Sequence, residues 1–124
     1  MSRALVVDDS RAIRAILTRT LIQAGFEVVQ AANGREALEV MDREGLSFTL
    51  VLLDWNMPEV AGIEVVEKIR AQSMFDSVRL VMVTTETEIS QMIRALDAGA
   101  DEYVMKPFTQ EILEDKLRLI GVLP

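Results

Sequence analysis

The stretch LVLLDWNMP, residues 50–58, decides the fold of this chain. Thr49 to Leu53 form an unbroken run of strand-like residues that leads directly into the carboxylate of Asp54. Such a run is typical of a strand covered on both faces, as in parallel sheets, whose ligands bind just beyond the carboxyl ends of the strands. Taken alone, Asp54 fits equally well a residue that only ends the strand or caps a turn completed by Pro58 and Gly62.

Length and composition limit the class of protein. The 124 residues, 50% of them hydrophobic, fit one compact domain over residues 1–124, with no tract long enough to link two domains. The apolar runs are shorter than the roughly 18 to 20 residues that a membrane span needs, and the N-terminus lacks the layout of a signal peptide. We therefore expect a cytoplasmic monomer with no membrane partner.

Two missing residue types narrow the chemistry. The chain has no cysteine and no histidine, which removes disulfides, thiol nucleophiles, thiolate metal sites and imidazole catalysis. Carboxylates, hydroxyls and lysines must carry any reaction. A formal net charge of -7 argues against a nucleic-acid partner, because that binding depends on neutralising phosphates with basic side chains. A divalent cation or a locally basic partner fits better.

Strand and helix patterns alternate five times along the chain. The predicted strands are residues 5–7, 26–31, 49–53, 80–83 and 102–105. The predicted helices carry apolar positions within 13–21, 37–41, 63–69, 89–96 and 112–120. Ser10 is a predicted cap of the first helix, which ends at Ala24-Gly25, and Asn33 with Glu36 predicts a capping box for the second.

This alternation predicts an α/β fold. Right-handed crossovers between successive strands give a parallel sheet with helices on both faces. The units share no sequence repeat, which excludes a solenoid, and they are too few to close a barrel. The chain is therefore predicted to form an open, doubly wound five-stranded parallel sheet.

Polar side chains follow four of the five predicted strands. They are Asp8 and Asp9, Asp54, Thr84 and Thr85, and Lys106. The carboxyl ends of parallel strands share one edge of the sheet, so these residues are candidates for a common site. Three converging carboxylates repel one another unless a hard cation neutralises them, and Mg²⁺ is the natural candidate. An aspartate can also accept a phosphoryl group, with the metal and a lysine offsetting its charge.

Each of these residues also has a simpler explanation when it is considered alone. Asp8 and Asp9 favour the start of the following helix through its dipole. Thr84 suits the end of a strand, and Lys106 suits a solvated position before a helix. Their joint occurrence at the ends of the right strands favours a site.

Four motifs on four separate strands resemble the receiver domain of two-component response regulators. They are VVDDS at 6–10, LDWNMP at 53–58, VT at 83–84 and YVMKPF at 103–108. The resemblance covers the entire chain and is nearest to the stand-alone chemotaxis members of that family. It implies a flavodoxin-like sheet with the strand order 2-1-3-4-5.

The resemblance also implies residue roles around a bound Mg²⁺. Asp54 would be the phosphoacceptor. Asp9 and the backbone carbonyl of Asn56 would join Asp54 around the metal, and Asp8 would help through a metal-bound water. Lys106 would pair with the phosphoryl group.

A switch and its tuning residues are implied in the same way. Thr84 would hydrogen-bond a phosphoryl oxygen after modification, and Tyr103 would turn inward into the space that Thr84 vacates. The Lys106-Pro107 bond would be cis, which proline alone makes inexpensive. Asn56 and Glu86 would tune the loss of phosphate, as in the chemotaxis members.

Two positions depart from the family pattern, and several other residues are expected to have no chemical role. A smaller residue often stands at Thr85, and many members have an acidic residue at Ala61; these departures affect the expected switching kinetics rather than the chemistry. We expect Trp55 to be exposed beside the site. The methionines are interpreted as core or packing residues: Met74, Met82, Met92 and Met105.

The resemblance implies a signalling switch that is phosphorylated by a histidine kinase and is not an enzyme on other substrates. Its output surface would be the face of the fourth helix, fifth strand and fifth helix, bordered by Ile89, Met92, Tyr103 and Lys116. A flagellar-motor component is the first expected partner. A pilus-motility regulator and a phosphorelay intermediate that hands phosphate to a histidine phosphotransfer protein are the alternatives.

Three further alternatives fit the residues less well. A haloacid-dehalogenase-type phosphotransferase needs a second acid two residues after the nucleophile, where Asn56 stands. A flavodoxin-like FMN protein needs hydroxyls and amides after the first strand, where Asp8 and Asp9 would repel its phosphate. A degenerate receiver that only binds partners is disfavoured by the intact set of acids, hydroxyl and lysine.

Overall fold

A computed structural model describes residues 2–124 of the chain. Its five strands form one parallel sheet in the order β2-β1-β3-β4-β5, which confirms the predicted fold class and strand order. The strands are β1 (Arg3–Val7), β2 (Glu27–Ala31), β3 (Leu50–Leu53), β4 (Arg79–Thr84) and β5 (Glu102–Met105).

Four α-helices and two short 3-10 helices connect the strands, and a fifth α-helix follows β5. The α-helices are α1 (Arg11–Gln23), α2 (Gly34–Glu44), α3 (Gly62–Arg70), α4 (Ile89–Ala98) and α5 (Gln110–Leu119), and the 3-10 helices are Gly45–Ser47 and Ser73–Phe75. The predicted caps are confirmed, because Ser10 Oγ accepts from the N–H of Ile13 and Asn33 Oδ1 accepts from the N–H of Glu36. The Asn33 bond is one half of the predicted capping box.

The core has two parts, one on each face of the sheet. Side chains alternate along β1, so that Leu5 and Val7 pack with α2, α3 and α4, whereas Ala4 and Val6 pack with α1 and α5. Every residue of β3 is buried, as expected for a central strand with helices on both sides. The helices thus fix the sheet from two sides and leave the carboxyl edge of its strands accessible.

The methionines are only partly the packing residues that were predicted. Met82 on β4 is fully buried and Met92 on α4 packs against the core. The prediction is wrong for Met74 and Met105, which are 55% and 46% exposed. Met74 lies in a short 3-10 helix, and Met105 is the last residue of the edge strand β5, where it lines an open groove.

α4 is the helix held least firmly by apolar burial. Ala95 is its only buried residue, while Ile89 and Ile93 are 73% and 53% exposed. Among residues 2–124, no helix has the length and apolar character needed to cross a lipid bilayer.

Candidate functional site

Three carboxylates lie together at the carboxyl edge of the sheet. Val7 pairs with Leu53, and the N–H of Asp54 donates to the carbonyl of Val7, so the loops after β1 and β3 start side by side. Asp8, Asp9 and Asp54 each offer a carboxylate oxygen, and these oxygens lie within 4.8 Å of one another. Asp8 and Asp54 are buried, whereas Asp9 is exposed.

Lys106 places its ammonium group against two of these carboxylates. The side-chain Nζ lies 2.8 Å from Asp8 Oδ2 and 3.2 Å from Asp54 Oδ2. The backbone N–H of Lys106 donates to the carbonyl of Thr84. Burial lowers the pKa of Lys106, but the bonds and charges of Asp8 and Asp54 outweigh it and raise the pKa above its ordinary value. The lysine is therefore a fixed cation at neutral pH, and the bond that joins it to Pro107 is cis, as the resemblance implied.

The two carboxylate oxygens of Asp54 have different surroundings. Oδ2 accepts from Lys106, whereas Oδ1 is buried with no hydrogen-bond partner among the described residues. A buried carboxylate oxygen without a partner is costly and calls for a donor or a cation. The asymmetry leaves Oδ1 free for a ligand at this edge of the sheet.

Gly62 lets the loop between β3 and α3 fold back on itself. Its N–H donates to the carbonyl of Trp55, and a Cβ built at this glycine would lie 2.0 Å from the carbonyl oxygen of Asp54. Any side chain here would displace the backbone of Asp54. Sequence reasoning assigned Gly62 only to a turn, because a close approach between backbones leaves no signal in a single sequence.

Glu86 connects the loops that follow β3 and β4. Asn56 Nδ2 donates to Glu86 Oε1 at 2.7 Å, and the N–H of Glu86 donates to Thr84 Oγ1 at 3.3 Å. The hydroxyl of Tyr103 donates to the carbonyl of Glu86 at 2.8 Å. The tuning residues Asn56 and Glu86 thus form one connected set with the switch residues. The third tuning residue, Thr85, is exposed and lines an apolar cavity beside Lys106.

Tyr103 lies inward in this structure, and its movement on modification stays a prediction. Its side chain is already buried, at 4% exposure, and the Thr84 side chain is fully buried beneath the loop. The ring packs in the larger core cluster, and its hydroxyl donates to a backbone carbonyl, so both the apolar and the polar part of the side chain have partners in this inward position.

Comparison with known proteins decides the family. Residues 4–118 match the response regulator receiver domain. The chain belongs to the response regulator receiver family. This receiver is 41% identical over 119 residues to the chemotaxis protein CheY1 of Helicobacter pylori, covering 95% of each chain. It is 40% identical over 116 residues to the CheY homolog of Campylobacter jejuni, covering 93% of this chain and 88% of that protein.

Comparison of the structure with solved structures also finds chemotaxis CheY proteins. The chemotaxis protein CheY4 of Vibrio cholerae superimposes on the receiver with a TM-score of 0.89 at 38% identity, covering 97% of this chain and 98% of that one. The chain is thus a CheY-like receiver, a type of signalling protein found in two-component systems. The family decides against the haloacid-dehalogenase and FMN-protein alternatives.

Trp55 of the receiver is buried, so the prediction that it is exposed is wrong. It is 7% exposed, its ring belongs to the larger core cluster, and the guanidinium of Arg94 lies 5.9 Å from the ring centre. The cause is the tight return of the loop at Gly62, which turns the indole inward against α3 and α4. A buried indole next to Asp54 still suits a fluorescence reporter.

Tyr103 is expected to ionise at unusually high pH. Burial, then the negative charges of Glu86 and Asp54, raise its pKa from 10.0 to about 12. The folded state favours the neutral phenol, so this stabilising contribution is complete below pH 10 and is lost as the pH rises from 10 towards 12. The chain has one tyrosine, so absorbance of tyrosinate reports this group alone.

The control for that titration is the same protein in denaturant, where the tyrosine should ionise near its ordinary pKa of about 10. Circular dichroism in parallel identifies the pH range in which the protein is folded. Ionisation of the folded protein at the denatured value would show that Tyr103 is neither desolvated nor close to these acids.

Proposed function

We propose that this receiver is a phosphorylation-activated switch that takes a phosphoryl group from a histidine kinase onto Asp54. The observation that carries the proposal is the asymmetry at Asp54: Oδ2 is 3.2 Å from the Lys106 ammonium, and Oδ1 is buried without a partner among residues 2–124. One oxygen is held by a cation, and the other is available at the accessible edge of the sheet. This arrangement suits a carboxylate nucleophile.

The transfer is a displacement at phosphorus. A carboxylate oxygen of Asp54 forms a bond to phosphorus while the phosphorus–nitrogen bond of the donor's phosphohistidine breaks. The electron pair of that bond goes to the imidazole nitrogen, which takes up a proton from solvent. Lys106 lies against Asp54 and would pair with the oxygens of the transferred group, and the hydroxyl of Thr84, at the end of β4, would donate to one of them.

The site fits Mg²⁺. Three carboxylates within 4.8 Å of one another, one of them with an unpartnered oxygen in the described part of the chain, form the oxygen-rich donor set that this ion prefers. Asp9, Asp54 and the backbone carbonyl of Asn56 would hold the ion, with Asp8 contributing through a water. When bound, Mg²⁺ supplies positive charge that offsets the charge of the transferring group.

The proposal is tested by intact-mass measurement. The protein is incubated with Mg²⁺ and a small-molecule phosphodonor such as phosphoramidate, with an excess of chelator as the control. We expect the mass to rise by one phosphoryl group with Mg²⁺ and to stay unchanged with the chelator. No mass gain under either condition would refute the proposed function.

Mg²⁺ should also stabilise the unphosphorylated fold, because it relieves repulsion among the acids and binds only the folded state. At a concentration about tenfold above its Kd the gain is about 1.4 kcal/mol, visible as a higher melting temperature. Asp9→Ala should abolish this rise and leave the metal-free protein at least as stable, since it removes a repelling charge.

The matched control for this prediction is Asp42→Ala, an exposed acid on α2 outside the cluster. It should keep the full effect of Mg²⁺. A melting temperature that ignores millimolar Mg²⁺ in the unmutated protein, or a full rise in Asp9→Ala, would contradict the assignment of the acidic cluster.

We further propose that the output is chemotaxis or another form of motility, as the names of the relatives suggest. The signal would leave through the face of α4, β5 and α5. Met92, Tyr103 and Lys116 line a groove of about 280 Å³ there, and Ile89 is 73% exposed at its border. Phosphorylation should tighten partner binding at this face. Rapid return of the phosphoryl group to a histidine phosphotransfer protein would indicate a phosphorelay instead.

A further inference from the structure

Asp8 is held at every one of its polar groups. Its N–H donates to the carbonyl of Ala31, Oδ1 accepts from the N–H of Ser10, and Oδ2 accepts from Lys106 Nζ. Its carbonyl oxygen accepts from Arg14 Nη1 at 2.8 Å. The Arg14 bond is thus the one that fixes the peptide group between Asp8 and Asp9.

Arg14 is built to hold that peptide group still. It lies in the first turns of α1, where its own N–H donates to the carbonyl of Ser10. Its Nε donates to Gln30 Oε1 on β2 at 3.1 Å. The planar guanidinium therefore connects the loop after β1, the helix that follows and the neighbouring strand, with two donors aimed in fixed directions.

Asp9 depends on this contact more than the other two acids do. Its side chain is exposed and makes no hydrogen bond with any residue from 2 to 124, whereas Asp8 and Asp54 are both bonded to Lys106. A peptide unit is planar, so the Arg14 bond to the Asp8 carbonyl also orients the bond that leads to Asp9. The Arg14 bond thus helps to orient the backbone from which the Asp9 carboxylate extends.

We propose that Arg14 is a positioning residue for the metal site, which holds the peptide before Asp9 so that the Asp9 and Asp54 carboxylates converge on one cation. This inference rests on the proposed function for the identity of that cation, Mg²⁺. Groups that orient metal ligands typically change metal affinity by about 10- to 100-fold when they are removed. We expect the low end of that range, about tenfold, because Arg14 acts through the backbone.

A purely electrostatic role for Arg14 predicts the opposite change in Mg²⁺ affinity when the arginine is replaced. A cation near three carboxylates repels Mg²⁺, so its removal would tighten metal binding. The positioning role predicts weaker binding in Arg14→Met and in Arg14→Lys, because lysine keeps the charge but not the two directed donors. The sign of the change in affinity therefore separates the two roles.

The experiment is a titration with Mg²⁺ alone, followed by Trp55 fluorescence and by calorimetry, with no phosphodonor present. Arg11→Met is the matched control, since Arg11 is an exposed arginine on the same helix and its replacement removes the same charge without breaking a bond to Asp8. We expect Kd to rise about tenfold in both Arg14 variants. Arg11→Met should bind Mg²⁺ as tightly as the unmutated protein, or more tightly.

Circular dichroism and melting curves without metal show that each variant is folded at the temperature of the titration, and Arg14→Lys remains informative if Arg14→Met does not fold. Unchanged or tighter Mg²⁺ binding by the folded Arg14 variants would overturn the inference and leave the proposed function intact. Failure of the unmutated protein to bind Mg²⁺ would overturn the metal assignment, and the inference with it.

Discussion

Asp54→Asn is expected to abolish phosphorylation of the receiver. The side-chain amide keeps the shape of the carboxylate but lacks its negative charge and its nucleophilic oxygen, so no acyl phosphate forms. Lys106 keeps its partner Asp8, which lies at 2.8 Å, so the fold around the site should persist. Intact-mass measurement with Mg²⁺ and phosphoramidate should show one added phosphoryl group in the unmutated protein and none in the variant.

The control is Asp42→Asn, the same substitution at an exposed acid on α2. It should gain one phosphoryl group at the unmutated rate. If Asp54→Asn gains the same mass, another residue is the acceptor, and Asp8 and Asp9 become the candidates.

Arg70→Ala is expected to lower the free energy of unfolding by about 3 kcal/mol. Its guanidinium donates to the carbonyls of Phe75, Val78 and Gly99, and pairs with Asp101 at 2.9 Å. These bonds tie the end of α3 to the entrances of β4 and β5. Truncation removes one donor from each of these four acceptors in a partly buried position, although the Phe75 carbonyl keeps the N–H of Val78 and Asp101 Oδ2 keeps the N–H of Leu80.

Arg43→Ala is the matched control for the free energy of unfolding measured in urea. Arg43 is an exposed arginine that pairs with its neighbour Glu44, at 3.3 Å, and such pairs contribute about 0 to 1 kcal/mol. Similar losses in the two variants would show that the Arg70 bonds add nothing beyond an ordinary surface ion pair.

The fold could be predicted because local signals agree with the global arrangement. The apolar run before Asp54 marks a strand that helices cover on both sides, and β3 is buried throughout. Ser10 and Asn33 are visible in the sequence as caps, and the structure uses both. Strand limits shifted by a residue or two, since pairing with neighbouring strands, rather than composition, sets where a strand ends.

The candidate site could be located for a related reason. In a parallel sheet the first residues after the strands meet at one edge, so the strand pattern alone was enough to place Asp8, Asp9, Asp54 and Lys106 together. The distances between these residues along the sequence do not show that they meet in space. The order and direction of the strands show it.

What sequence reasoning missed depends on contacts between distant segments. The burial of Trp55 depends on the close return of its loop at Gly62. The inward position of the Tyr103 side chain depends on a hydrogen bond to the Glu86 carbonyl. Arg14 has the pattern of an ordinary helix residue, because its partner is a backbone carbonyl that any sequence would supply. Side chains that bond to backbone leave little trace in a single sequence.

The central claim is that Asp54 itself carries the phosphoryl group, and chemical trapping tests it most directly. The protein is treated with Mg²⁺ and phosphoramidate and then with borohydride, which reduces an aspartyl phosphate to homoserine, and the peptide containing residue 54 is sequenced by mass spectrometry. We predict homoserine at position 54 and aspartate at positions 8 and 9. Aspartate at position 54, with the reduced residue elsewhere or absent from a phosphorylated sample, would contradict the claim.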